Sequence, residues 1–195
     1  MTDAPAFAIP PAAIAAEFFE RTRALDERQR AYLLARDIPA AALENDPGRP
    51  AAPVRAARIA FTGAYFDFVG AEDEDARPAL CVIARDEFGI VDDLVAFDAR
   101  GRVGRWLGRA VLLGEQMRFF PRVESPALRV FADPWEWLRG ERRGVVILDR
   151  GRARWRLAGD MLAVDEPALG RRVRETLRLP EPRILVASKS TRCAA

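Results

Sequence analysis

The chain has 195 residues, half of them apolar, with 31 basic and 29 acidic side chains, two cysteines and no histidine. That length supports one good core or two small lobes; the near-balanced charge gives no bulk field toward nucleic acid, and no apolar run approaches the ~20 residues needed to cross a bilayer. Without imidazole there are no histidine general bases, no Ser-His or Cys-His nucleophile pairs and no His-ligated zinc. Cys81 and Cys193 alone make neither a zinc site nor a disulfide framework, and Cys81, inside "ALCVIA", reads as a small buried hydrophobe. Any catalysis must rest on carboxylates with a divalent metal, or on arginine. All the basic residues except Lys189 are arginine. Arginine grips phosphate bidentately and stacks on bases, but a GC-rich genome also replaces lysine wholesale. The start, "MTDAPAFAIPPAAIAAEFFE", lacks the basic and apolar pattern of a signal peptide, so the expected location is the cytoplasm.

In chain order, residues 1–45 read as helical. "PPAAIAAEFFERTRAL" sets Ile14, Phe18 and Leu25 on one face, and Asp26 can cap "ERQRAYLLAR", which buries Tyr32 and Leu33 or Leu34. Pro39 can start a further turn, "PAAALE", before the breaker-rich "NDPGRPAAP". Over 56–115 the period changes: "ARIAF", "YFDFV", "ALCVIA", "IVDDLVAF" and "RVGRWLG" predict an antiparallel β meander. The acidic stretch Glu72–Asp75 reads as a solvated hairpin tip. Over 126–187 strands alternate with helices: "ALRVF", "PWEWLRG" capped by Asp133, "GVVILD", "GRARWRLAG", "MLAV", "EPALGRRVRETL" capped by Asp165, and "RILVA". That alternation predicts a mainly parallel sheet covered by helices. Its expected core is Leu128, Val130, Val145, Ile147, Leu162, Val164, Ile184 and Val186, and residues 188–195 are expected to be a flexible tail. The fold class is therefore α+β.

The stretch "RVFADPWEWLRGERRGVVILDRGRARW" concentrates tryptophan and arginine. Trp135 and Leu138, three apart, are expected to face the sheet, with Trp137 pointing toward the meander. Arg139, Arg142 and Arg143 suit the negative end of a helix dipole. With Arg102, Arg105 and Arg109 from "GRVGRWLGRA" they form a candidate nucleic-acid patch. The competing expectation is that these arginines form surface ion pairs with Glu115, Glu136 and Glu141.

"AYLLARDIPAAALE", "RIAF" and "ALCVIARDEFGIVDDLVAFDARGRVGRWLG", taken in order, resemble the front of a bacterial or phage primase core. There a "YL-x-x-R-G-I" signature precedes strands with an "R-D-x-x-G-x-(V/I)" turn; Asp37 stands at the glycine of that signature. The α/β part resembles a toprim domain, whose "E-G" after the first strand and "D-x-D-x-A-G" after the third hold a metal. Here Ala132-Asp133 follows "RVF" in place of Glu-Gly, and Pro167 replaces the second aspartate, while Asp165 and Gly170 fit. The resemblance implies a non-catalytic, toprim-like accessory protein from a phage or prophage, linked to DNA replication, with nucleic acid or a replication protein as partner and no cofactor. The alternative is a Mg²⁺-dependent phosphotransferase or nuclease, with Asp133, Glu136, Asp149 and Asp165 regrouped at the carboxyl ends of the strands. A structural or interaction protein without a nucleic-acid role is the third possibility.

Overall fold

A computed structural model of the chain describes residues 9–44, 53–119 and 126–178. The expected strand at 183–187, with Ile184 and Val186, and the tail from 188 lie outside the described residues, as does Cys193. Helix α1 (Pro11–Arg21) starts with proline at its first position and buries Ile14 and Phe18, four apart. Each such side chain removed from water stabilises the fold by about 1.5–3 kcal/mol. The helix stops short of Leu25, which the spacing places on its face. At Thr22 the backbone turns extended, the Thr22 hydroxyl donates to the Phe18 carbonyl, and β1 (Arg23–Ala24) pairs with the barrel. Helix α2 (Glu27–Leu34) begins at the expected Asp26, which takes the Gln29 N–H at 2.7 Å while the Gln29 side chain takes the Asp26 N–H at 3.0 Å. Leu33 is buried, but Tyr32, expected inside, is 51% exposed. Helix α3 (Ala40–Glu44) follows Pro39 and buries Ala42 and Leu43; the Val54 N–H then donates to the Leu43 carbonyl at 2.8 Å.

Strands β2 (Arg55–Thr62), β3 (Tyr65–Phe68), β4 (Arg77–Arg85), β5 (Val91–Phe97) and β6 (Val103–Arg105) form the middle. The sheet runs β2-β3-β6-β5-β4, and β4 returns to β2, so it closes into a five-stranded barrel. The expected meander is therefore closed, with one parallel contact, Tyr65 beside Arg105, among antiparallel pairs. Closure removes exposed edges and lets both faces of β4 be covered. Leu80, Val82 and Ala84 join one core with α2 and α3; Ala79, Cys81 and Ile83 join another with Ile14 and Phe18 of α1. Cys81 is fully buried, which pushes its thiol pKa upward.

A second sheet holds β7 (Leu112–Leu113), β8 (Leu128–Phe131), β9 (Val145–Ile147) and β10 (Leu162–Ala163) in the order β10-β8-β9-β7. β10, β8 and β9 run parallel, and β7, which the sequence does not announce, pairs antiparallel with β9. Helices α4 (Pro134–Arg139), α5 (Arg150–Arg156) and α6 (Pro167–Leu177) connect or follow these strands. Trp137 and Leu138 of α4 join the barrel-side core with Phe131 and Val146. Ala153 of α5, Leu157 just beyond it, and Leu169 and Val173 of α6 pack with Leu128, Val130 and Val145. Of the expected core, Leu128, Val130 and Val145 are buried, while Ile147, Leu162 and Val164 are half-buried.

The tryptophans exchange roles relative to expectation. Trp137 is buried and its indole N–H donates to the Gly144 carbonyl at 3.0 Å. Trp135 meets Phe97 of the barrel edge-on at 5.4 Å and donates to the Asp98 carbonyl at 3.1 Å. Helix α4 is wedged between sheet and barrel, so two of its faces are covered. Gly114 (φ 81°) makes this wedge possible, because a Cβ there would stand 2.4 Å from the Gly144 oxygen.

Candidate functional site

Three parallel strands end on one side of the sheet, and two residues beyond each end stands an aspartate. Asp133 follows β8, Asp149 follows β9 and Asp165 follows β10. The chain leaves β8 for α4 on the barrel face and leaves β9 and β10 for α5 and α6 on the other face. Where connections part in this way, an open α/β sheet has its natural binding crevice. A cleft of about 180 Å³ lies there, with Val103 and Arg105 of the barrel facing Asp133, Pro134, Ile147 and Leu148.

Each candidate carboxylate already has a bonding partner. Asp133 caps α4 by accepting the Glu136 N–H at 2.9 Å, and Glu136 accepts the Ala132 N–H at 3.3 Å. Asp149 caps α5 through the Arg152 N–H at 3.0 Å, and its second oxygen meets the Arg152 guanidinium at 2.9 Å and that of Arg105 at 3.2 Å. Burial pushes the Asp149 carboxyl up, but the Arg152 N–H and guanidinium, then Arg105, outweigh it and hold the pKa at about 2. Asp165 does not cap α6: Glu166 holds the cap position without a side-chain bond, and Asp165 pairs instead with Arg129 on the exposed surface. Among the described residues no three His, Cys, Asp or Glu side chains are grouped to hold a metal ion. Mg²⁺ needs several free oxygens converging at one point, and these carboxylates, committed to N–H and guanidinium donors, do not fit that requirement. The Glu72–Asp75 segment is exposed, with Asp73 accepting the Asp75 N–H at 2.8 Å.

The six arginines expected to share a patch are divided. Arg105 and Arg142 are buried and cannot serve as surface phosphate contacts. Arg105 is drawn inward because it ties barrel to sheet: it donates to the Ala110 carbonyl at 3.0 Å as well as to Asp149. Arg142 sits in the turn after α4 at φ 60°, its guanidinium 5.5 Å from the Trp137 ring centre. Arg102 pairs with Asp98 at 2.9 Å and lies 4.7 Å over Phe61. Arg109 donates to the Ile9 carbonyl at 2.9 Å, Arg139 to the Arg36 carbonyl at 3.2 Å, and Arg143 pairs with Glu141 at 3.2 Å. The expected ion pairing thus holds for Glu141; Glu115 pairs with Arg118 and Arg156 instead, and Glu136 with a backbone N–H.

Comparison with protein-family models, curated proteins and solved structures returns no match.

Two groups escape sequence reasoning. Asp93, in the middle of β5, is fully buried and accepts four backbone N–H groups, from Leu94, Leu107, Arg109 and Ala110, at 2.7–3.1 Å. It ties the 107–110 loop to β5, and Arg105, just before that loop, donates to the Ala110 carbonyl. The signal is an acidic pair inside the otherwise apolar "IVDDLVAF". The second group is a network at the seam between barrel and sheet. Arg118 meets Asp160 at 2.8 Å and Glu87 at 3.3 Å, and Arg156 meets Glu87 at 3.3 Å and Glu115 at 3.5 Å. Burial pushes the Glu115 carboxyl up, against the pull of Arg156 and Arg118. Such pairs fix the seam more than they add net stability.

Proposed function

We propose that the protein is a non-catalytic, toprim-like accessory protein of phage or prophage origin, cytoplasmic and linked to DNA replication, which works by binding a partner. One observation carries the non-catalytic part: the aspartates at the strand ends are bonded to helix N–H groups and arginines, not gathered for a cation. Three parallel strands with helices on both faces, and an aspartate after the third, support the toprim-like part. No helix among the described residues is long and apolar enough to cross a membrane.

Thermal melting with and without Mg²⁺ or Mn²⁺ tests the reading. A cation bound only by the native state raises stability by ~2.7 kcal/mol at a hundredfold excess over its dissociation constant. No shift is expected. A clear shift that disappears in Asp165→Asn would overturn the reading in favour of a Mg²⁺-dependent phosphotransferase or nuclease. For nucleic acid, Arg102, Arg139 and Arg143 are the members of the expected patch with exposed side chains. They support modest, sequence-independent binding to single strands, with a log–log salt slope of roughly −0.7 per phosphate contact. Titration of labelled DNA at low and moderate salt checks it, and no binding at low salt would leave a protein partner alone.

A further inference from the structure

A second cleft, of about 290 Å³, opens between α2, the barrel and α4, and shares no lining residue with the crevice at the strand ends. Its walls are mostly carbon: Leu33 and Tyr32 from α2, Leu80 and Phe97 from the barrel, Ala99 beyond β5 and Trp135 from α4, with Gln29 of α2 also lining it. Its rim is cationic. Arg28 lines the cleft, and the Arg36 guanidinium lies 5.2 Å over Tyr32 and 5.8 Å over Trp135, bracing the two rings that flank the opening. Arg139 is tethered beside them through the Arg36 carbonyl. Arg30, on the same helix, is paired with Glu44 at 2.8 Å. Arg28, Arg36 and Arg139 are paired with no carboxylate among the described residues.

We propose that this cleft docks a short acidic segment of a partner protein, with a bulky apolar side chain seated against Tyr32 and Trp135 and flanking carboxylates paired with Arg28 and Arg36. Exposed aromatic surface ringed by arginines without carboxylate partners is complementary to a ligand that is apolar at its centre and acidic at its edges. A nucleobase is a poorer fit. The Trp135 indole N–H is already given to the Asp98 carbonyl and the Gln29 amide oxygen to the Asp26 N–H, so much of the polar edge of a base would lose its water without replacement. A leucine or tryptophan side chain has no such cost. Apolar anchors in a groove with charged flanks are a common mode of peptide recognition.

The inference rests on the reading of the chain as a binding protein, and the two fail separately: cation melting does not probe this cleft, and peptide titration does not probe the strand ends. The test is fluorescence polarisation with a labelled peptide in which a Leu-Trp pair is flanked on each side by two acidic residues. Controls carry lysine in place of the acids, or Ala-Ala in place of Leu-Trp. Arg28, Arg36 and Ala99 are exposed, so Arg28→Glu, Arg36→Glu and the cleft-filling Ala99→Trp are expected to fold, which melting verifies. Binding of the acidic peptide alone is expected, weakened at least about tenfold by either charge reversal (1.4 kcal/mol per decade) and lost in Ala99→Trp. Absence of binding, or binding indifferent to all three substitutions, overturns the proposal. So does labelled oligo-dT that competes for the cleft, or self-association of the wild type that Ala99→Trp abolishes.

Discussion

Asp93 illustrates how much one side chain can organise. Its four N–H partners come from its own neighbour and from a loop 14 to 17 residues further on, all brought to one carboxylate with no exposed surface. Removing it strands several buried donors at once, each costing about 1–3 kcal/mol. Asp93→Ala is therefore expected to lose roughly 3–5 kcal/mol, at the extreme of what one substitution does. Asp93→Asn keeps one acceptor and sets an amide N–H₂ against donors, so it should fall between. Urea unfolding of both checks this; a loss below about 1 kcal/mol in the alanine variant would mean that the loop finds other acceptors.

The end of α2 shows local chain chemistry acting on an element. The Ile38 N–H donates to the Leu33 carbonyl at 3.2 Å and the Asp37 N–H to the Leu34 carbonyl at 3.1 Å, the double closure of a Schellman cap. Asp37 therefore sits at φ 61°, in the left-handed region, and Ile38 packs in the same core as Leu33. Glycine meets that backbone demand at no steric cost, and here aspartate stands in its place. Asp37→Gly is expected to stabilise by about 0.5–1 kcal/mol, and Asp37→Val to destabilise by at least as much. Differential melting of the pair decides it, since an unchanged or lowered melting point for the glycine variant would show that the aspartate is not strained.

Across the whole molecule, Asp149 and Arg105 join the barrel to the parallel sheet at 3.2 Å, across 44 residues of sequence. The Asp149 pKa is about 2 when folded, against an ordinary value near ~3.9. A depressed carboxyl gives stability that is present above about pH 4 and lost as pH falls toward 2, here roughly 1–2 kcal/mol after allowance for solvent. Asp98 acts in the same sense: burial raises its carboxyl, but the Arg102 N–H and side chain and the Arg100 N–H outweigh it and lower it. Glu115 acts oppositely, because a raised carboxyl contributes stability below its unfolded value that is lost as pH rises. Acid unfolding followed from about pH 5 to about pH 1, a window that spans both Asp149 values, should be shallower in Asp149→Asn than in the wild type. An identical slope would show that the barrel–sheet bridge does not contribute.

What the sequence by itself determined was whatever depends on neighbours along the chain. The absence of histidine removed whole classes of chemistry. The Asp26–Gln29 box and the Asp133-Pro134 start were legible because both partners lie within one helical turn. The short apolar run of β4 between turn-forming stretches marked a strand, and strand–helix alternation marked the parallel layer. The tertiary structure alone decided where the donors and acceptors between distant segments would meet. It closed the barrel through β2 and β4, added β7, turned Trp137 inward and Trp135 toward Phe97, and drew Arg105 and Arg142 out of the expected patch. It also brought the Arg105 guanidinium to Asp149 and that of Arg129 to Asp165. Local periodicity tells which face of an element is apolar, but a carboxylate's role is set by which donors reach it, and for Asp93 most of those, and for Asp149 the Arg105 guanidinium, arrive from distant segments of the chain.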